Sequence, residues 1–283
     1  MLKKIKIILE DIKIQHTVFA LPFAFMSAFI ASHGIPPPDK LLWLFFAMVG
    51  ARSSAMSFNR IADKDYDRKN PRTKERALPR EKINMYQYII FLFISSFLFL
   101  LSCLMLNRLA LILSPLALLI VFFYSYTKRF TIFSHFFLGL SLSLAPIGAW
   151  VAIREEISLA SMVLGLAVLF WLAGLDIIYA CQDVEFDRRY GLFSFPARFG
   201  ISRSLRLSAG FHIIMTLFLF SLVFIENLGI LYIVGVLFIA GLLWYEHSIV
   251  KPDDLSKVNI AFFNVNGIIS IGLMVITIMD IIF

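Results

Sequence analysis

Nine mostly apolar stretches, at roughly 17–33, 41–59, 86–106, 109–127, 135–152, 158–180, 207–225, 228–247 and 258–282, constrain this chain more than any other feature. About 20 such residues cross the hydrocarbon core of a bilayer as a helix. The expected architecture is therefore an all-α polytopic membrane protein: nine transmembrane helices in one bundle, a single domain over 1–283. Composition agrees, with 60% hydrophobic and only 16% charged residues, where a soluble domain carries about a quarter charged. The first stretch is not read as a cleaved signal, because eight more follow, and Pro22 with His16 suggests a retained, functional helix. Cys103 and Cys181 both fall in apolar stretches without metal or disulfide spacing, which fits small buried residues.

The net charge of +7 does not point to nucleic acid, because the basic residues sit in short loops between spans. Assigned to alternate sides, 22 of the 26 Lys and Arg fall on one side and 3 (Lys40, Arg108 and Arg154) on the other, with Arg52 inside the second span. The positive-inside rule places the amino terminus and the long loops in the cytoplasm, and nine spans place Phe283 outside. Before the first span, Ile5, Ile8, Leu9 and Ile12 repeat at helical spacing opposite Lys3, Lys4, Lys6 and Lys13. That pattern predicts an amphipathic helix over 1–15 lying in the membrane interface.

The two longest cytoplasmic loops, after spans two and six, both begin with carboxylates. The first carries Asn59, Asp63 and Asp67 at i, i+4, i+8, on one helical face, with Arg52 nearly two turns deeper. The second carries Asp183 and Asp187, with Asp176 and Tyr179 on the same side. Both read Asp-x-acid-aromatic-Asp-Arg, 120 residues apart, a weak internal repeat joining spans two and six. Acidic residues at a cytoplasmic helix end are often only solvated. Two matched clusters argue otherwise, since four carboxylates facing one cavity repel without a cation, and Asp176 lies inside a span, where an ionisable group points to function. Oxygen-only ligands without His or Cys suit Mg²⁺ bridged to substrate phosphates and disfavour zinc.

Cations follow the first motif, at Arg72, Lys74 and Arg76, and close span four, at Lys128 and Arg129 after Tyr124. On chemistry alone, Arg72, Arg76 and Lys128 serve either as phosphate contacts or as ordinary cytoplasmic charges; Arg129 and Lys74 are assigned to the second. Asp253 and Asp254 read as solvated, Glu246 and His247 as interfacial, and Asp280 as snorkelling towards the outer surface.

At these residues the chain resembles the UbiA-type intramembrane prenyltransferase superfamily. Asn59-x3-Asp63-x3-Asp67 with Arg72-Thr73-x2-Arg76-x-Leu78-Pro79 is similar to its first signature. Tyr179-Ala180-x-Gln182-Asp183-x3-Asp187 with Gly191-x2-Ser194-x-Pro196 is similar to its second. The resemblance implies a helical bundle opening to lipid, with Mg²⁺ held by Asn59, Asp63, Asp67, Asp183 and Asp187. It implies diphosphate contacts from Lys128 and Tyr124, with Arg72 and Arg76 in a covering loop, Arg52 near an aromatic acceptor and Asp176 near the reacting carbon. Arg60 departs from the family's Asn-Asp opening. Together with His16-Thr17-x-Phe19-Ala20-Leu21-Pro22, it is similar to 4-hydroxybenzoate prenyltransferase-like members, some of which serve menaquinone synthesis by the futalosine route.

The implied reaction moves a polyprenyl chain from a polyprenyl diphosphate to an aromatic acid, at the cytoplasmic face of a prokaryotic cytoplasmic (inner) membrane. Asp63, Asp67, Asp176, Asp183 and Asp187 are the catalytic candidates. Arg52 demands an anion, either the acceptor's carboxylate or a structural partner such as Asp176 or a motif-one carboxylate. A cation transporter would also use intramembrane acids but leaves Asp67 and Asp187 beside a basic loop unexplained. A lipid-binding scaffold explains the basic loops but not the duplicated acids.

Overall fold

The computed structural model describes residues 2–283. The side chains at 2, 3, 15, 16 and 18 lie outside the described residues, and with them the side chain of His16. The fold is all-helical. Helix α1 (Leu2–Asp11) leads through a 3₁₀ segment (Ile14–Phe19) to α2 (Leu21–Ser32), α3 (Pro38–Ala62) and the short α4 (Lys64–Lys69). Then come α5 (Met85–Leu106), α6 (Arg108–Thr127), α7 (Ser134–Arg154), α8 (Leu159–Ala180) and the short α9 (Val184–Tyr190) and α10 (Phe195–Phe199). The chain closes with α11 (Ile201–Glu226), α12 (Ile230–Ile249), a π-helical turn (Ile260–Val265) and α13 (Asn266–Ile282).

Among the described residues, eight helices are long and apolar enough to cross a membrane. The remaining expected span, near 17–33, is represented by α2, an apolar helix of 12 residues. Pro22 at its start and the 3₁₀ segment before it keep one continuous helix from forming there.

Helix α8 is the centre of the bundle. It packs on α7 and α11, while α3 packs on α5 and α2 on α7. Of its most apolar window 72% is buried within the protein, against 17% for α6, so α6 gives most of its surface to lipid. Trp171, Leu175, Phe23, Met215, Ile239 and Leu273 form the main core. Gly139 sets the α7–α8 approach, since a Cβ there would sit 2.4 Å from the Leu169 carbonyl oxygen. Phe93, Phe97, Leu119, Phe224 and Trp244 point outward, as a lipid-facing surface requires.

Three sequence expectations are corrected here. Helix α1 does not give its apolar side to the interface: Ile8 and Ile12 are buried against Ala77, Leu78, Ile83 and Tyr88. The loop after α4 folds back and offers them a protein surface. Glu246 is fully buried rather than interfacial: it accepts from Asn266 Nδ2 at 2.8 Å, and Trp171 Nε1 donates to Asn266 Oδ1 at 2.6 Å. His247 joins the same cluster, its Nε2 2.9 Å from His212 Nδ1. The π-helical turn brings Asn266 to this polar stripe of α12. Asp280 does not snorkel. It accepts from the backbone N–H groups of Gly229 (2.6 Å) and Tyr232 (3.1 Å), closing the positive amino-terminal end of α12.

Candidate active site

The two carboxylate motifs adopt the same local structure. Helix α3 stops at Ala62, and Asp63 takes φ −96° and ψ 8° before α4 resumes. Helix α8 stops at Ala180, a 3₁₀ turn follows, and Asp183 takes φ −104° and ψ 7° before α9. Each first aspartate therefore sits in the sparsely used bridge region, where the helix axis bends. In motif one the helical register survives the bend, since Asp67 N–H donates to the Asp63 carbonyl at 2.8 Å. The repeat seen in the sequence is thus a repeat of backbone shape as well.

The loop after α4 crosses to the second motif. Asn70 accepts from its own turn at Arg72 N–H (2.9 Å) and donates to Asp183 Oδ1 at 3.2 Å. Arg72 grips both oxygens of Asp183, at 3.0 and 2.5 Å, and donates to the Tyr179 hydroxyl at 2.9 Å. Arg76 reaches both oxygens of Asp67 at 2.7 Å. Lys128 Nζ lies 2.9 Å from Asp187, and Arg129 donates to Asp63 at 3.1 Å and to the Ala62 carbonyl at 2.6 Å. Asp63, Asp67, Asp183 and Asp187 are thus each matched by one cation.

Electrostatics follow from this pairing. Burial pushes the Asp63 carboxyl above the ordinary carboxylate range, against the pull of the Arg129 hydrogen bond. Burial works against the charged form of Arg72, but the hydrogen bonds and charge of Asp183 outweigh it and raise that guanidinium's pKa.

These groups line a polar basin of about 160 Å³ between the motifs, reached by Asn59, Asp63, Asp67, Asp183 and Asp187 together with Arg72, Arg76 and Lys128. It adjoins a larger chamber of about 650 Å³ that adds Tyr124, Asp176, Tyr179 and His135. Met56, Tyr124 and Leu138 are shared with a third, apolar cavity of about 380 Å³, which runs between α3, α5, α6 and α7 as far as Ile157 and Met162. The basin shares Asn59, Asp63, Arg72, Lys128 and Asp183 with the chamber, and the chamber meets the apolar channel at Met56, Tyr124 and Leu138.

Sequence reasoning assigned Arg129 to topology alone; instead it holds Asp63 and lies over the rings of Tyr66 and Tyr126. Its flanking aromatics were the available signal. Lys74 is exposed, as expected of a loop charge. Arg52 lines the apolar cavity and donates to the Lys13 carbonyl at 3.3 Å. Among the described residues no carboxylate comes within ion-pair distance of it, so neither Asp176 nor motif one is its partner. Asp176 pairs with His135 instead, a residue the sequence did not single out. Asn70 was also missed, although Asn before Pro71 is a turn signal.

Arg60 turns away from the basin. It donates to Asn59 Oδ1 at 3.1 Å, and its other contacts are the carbonyl (3.0 Å) and carboxylate (3.3 Å) of Asp11. Asp11 therefore balances the charge that the Asn59-Arg60 departure introduces. Asn59 Nδ2 donates to Asp63 at 2.8 Å, which fixes the amide's orientation. Among the described residues, no three His, Cys, Asp or Glu side chains converge on a single point suited to a metal ion. The basin's donors are nonetheless all oxygens of the kind a hard divalent cation takes together with substrate phosphates.

The UbiA prenyltransferase family model matches residues 20–268, which takes in the whole site. The chain belongs to the UbiA prenyltransferase family. Among curated UbiA relatives, a 4-hydroxybenzoate octaprenyltransferase of Francisella tularensis subsp. novicida is 33% identical over 172 residues, 60% of either chain. The chain thus spans about 60% of the length of the Francisella relatives it matches. One of Vesicomyosocius okutanii is 31% identical over 200 residues, 71% of this chain and 72% of that protein. The apo structure of a UbiA homolog from Aeropyrum pernix superposes with a TM-score of 0.86 at 32% identity, covering 94% of this chain and 98% of that one. A UbiA homolog from Archaeoglobus fulgidus, bound to DMAPP and Mg²⁺, shares the fold at a TM-score of 0.73 and 19% identity, over 96% and 99% of the two chains.

Proposed function

We propose that this UbiA-family chain moves a polyprenyl group from its diphosphate to an aromatic acid, with 4-hydroxybenzoate the favoured acceptor, in respiratory quinone synthesis. The observation that carries this reading is the paired geometry of the basin. Two carboxylate motifs with matching bends face each other, Asp63, Asp67, Asp183 and Asp187 are each held by a cation, and the basin leads through the chamber, past Tyr124, to an apolar channel. A diphosphate suits the basin, a ring suits the chamber, and a hydrocarbon chain suits the channel. The names of the curated relatives support the acceptor. A dihydroxynaphthoate acceptor in menaquinone synthesis makes the same demands and is the second reading.

Mg²⁺ fits the donor set of Asn59, Asp63, Asp67, Asp183 and Asp187, and when bound it supplies positive charge for the departing diphosphate. The chain's own residues do the rest. Arg72, Arg76 and Lys128 turn from their carboxylates towards phosphate oxygens, and Tyr124 marks where the allylic carbon meets the ring. The apolar channel excludes water that would quench an allylic cation. The ring attacks that carbon, and diphosphate or a nearby carboxylate accepts the displaced ring proton.

Arg52, a cation without a carboxylate within ion-pair distance among the described residues, lines the apolar cavity one turn of α3 from Met56, where that cavity meets the chamber, and fits the acceptor's carboxylate. The test is prenyl transfer from a labelled polyprenyl diphosphate to a panel of aromatic acids, with and without Mg²⁺. Transfer to 4-hydroxybenzoate that stops on chelation is the expected result, and no transfer to any acceptor overturns the proposal. In the same assay Arg52→Ala should raise the acceptor KM on the order of 10-fold or more, the loss of one charged hydrogen bond, and leave donor binding unchanged. Lost donor binding at an unchanged acceptor KM would move Arg52 to the diphosphate site.

In this proposal the site faces the cytoplasm, as the loop charges imply. Reporter fusions at Lys74, Arg129, Arg198 and Asp254 should be cytoplasmic and those at Pro37 and Glu155 external. A cytoplasmic reporter at Pro37 would contradict this orientation near the start of the chain.

A further inference from the structure

His135 opens α7 and is only 1% exposed, yet it borders the chamber where the acceptor ring is placed. Its ring lies against Phe195, with centroids 5.6 Å apart and planes 24° from parallel. Its Nδ1 is 2.6 Å from Asp176 Oδ2, and its Nε2 receives the backbone N–H of Phe195 at 3.2 Å. These two contacts settle the tautomer. A backbone N–H only donates, so Nε2 carries a lone pair, and a neutral ring then bears its proton on Nδ1. That proton points at the Asp176 carboxylate.

The segment that supplies Phe195 also serves the diphosphate side. Gly191, at φ 66°, reverses the chain after α9, a backbone conformation that suits a residue without a Cβ. Phe193 N–H then donates to the Lys128 carbonyl at 2.7 Å, and Ser194 Oγ donates to Asp187 Oδ2 at 2.8 Å. Three consecutive residues thus touch Lys128, Asp187 and His135. The position of His135 is locked to the same stretch of backbone that supports the second motif.

We propose that His135 is a positioning residue that holds Asp176 as the base for the ring proton; this rests on the prenyl-transfer reading above. In that step the allylic C–O bond breaks and its electron pair leaves on the diphosphate. A π pair of the phenolic ring forms the new C–C bond. The ring C–H proton passes to Asp176, and the C–H pair restores aromaticity. Atoms and charge balance, with one proton taken up by the carboxylate and no redox partner required. His135 does not relay that proton, because its Nε2 lone pair is engaged by Phe195. Its role is to donate to one carboxylate oxygen and leave the rest of the group, 26% exposed, turned to the chamber.

The experiment uses the full-length protein in membranes, with 4-hydroxybenzoate and its counterpart deuterated at the ring carbons flanking the hydroxyl. In the wild type, proton removal follows the slow C–O cleavage, so little isotope effect is expected. His135→Phe keeps the ring against Phe195 but removes the donor. It should lower kcat on the order of 10²-fold, the low end of what a positioned general base contributes. A primary isotope effect should emerge, with the donor KM unchanged. A packing residue would lose rate without an isotope effect, and that outcome overturns the proposal. If His135→Phe does not fold, His135→Gln decides: partial loss with a raised isotope effect supports the role, and an isotope effect of wild-type size overturns it. An active wild type with insensitive variants removes this inference alone. A wild type that transfers no prenyl group removes the functional reading and this inference together.

Discussion

Asp63→Asn and Asp183→Asn should each lower prenyl transfer on the order of 10³-fold, comparable to removing a central charge-stabilising group from a preorganised site, while protein still accumulates in the membrane. Each substitution keeps the side chain's size and removes a negative oxygen. At Asp183 the two oxygens share the two-point grip of Arg72, and at Asp63 one oxygen receives Arg129. Arg72 keeps a third of its side chain exposed, so water screens the guanidinium left behind and folding should suffer little. Asp253→Asn is the control: it changes the same atoms on an exposed loop residue and should be silent. Equal activity across all three variants would remove the two motifs from the chemistry. Initial rates in isolated membranes, normalised to protein amount, make the comparison.

The largest effect on stability is expected at Asp11. Its carboxylate accepts from Ala77 N–H at 2.7 Å and the Tyr88 hydroxyl at 2.5 Å, and pairs with Arg60 at 3.3 Å; both charged side chains are less than a tenth exposed. Removing one member of a buried pair strands the other, at a typical cost of about 3–5 kcal/mol. Asp11→Ala should therefore lower the thermal unfolding temperature in detergent by several degrees or more. Asp11→Leu combined with Arg60→Leu should recover much of the loss, because no charge remains unpaired. An unchanged unfolding temperature for Asp11→Ala would show that the clamp joining α1, α3 and the start of α5 contributes nothing. Activity should fall as well, since Arg60 would no longer be held where it orients Asn59.

What could be read in advance was whatever repeats along the chain. Apolar runs announced the spans, and i, i+4 spacing put Asp63 with Asp67 and Asp183 with Asp187 on common faces. Periodicity is silent about partners far apart in sequence, and the misreadings follow from that. Asp11 meets Arg60 and Tyr88, and His135 meets Asp176, only after the helices pack. Arg129 resembled any cytoplasmic loop cation, because only the folded chain shows Asp63 and two tyrosine rings around it. Helix α1 carried the pattern of a lipid-facing helix, but an apolar stripe does not say whether lipid or protein will cover it. The short α2 was legible as apolar, but its length was not, since the 3₁₀ turn ahead of Pro22 leaves no periodic trace.

Under the proposed function, the four ion pairs of the basin set a rule for what can enter. A divalent cation arriving alone has to evict a guanidinium or ammonium from its carboxylate, and a diphosphate arriving alone has to break the same contact from the other side. Either visitor exchanges one good contact for another and leaves an unmatched charge behind. Arriving together, each takes the partner that the other has released, and no group is stranded. On that reading, the paired basin favours metal and diphosphate arriving together over either one alone.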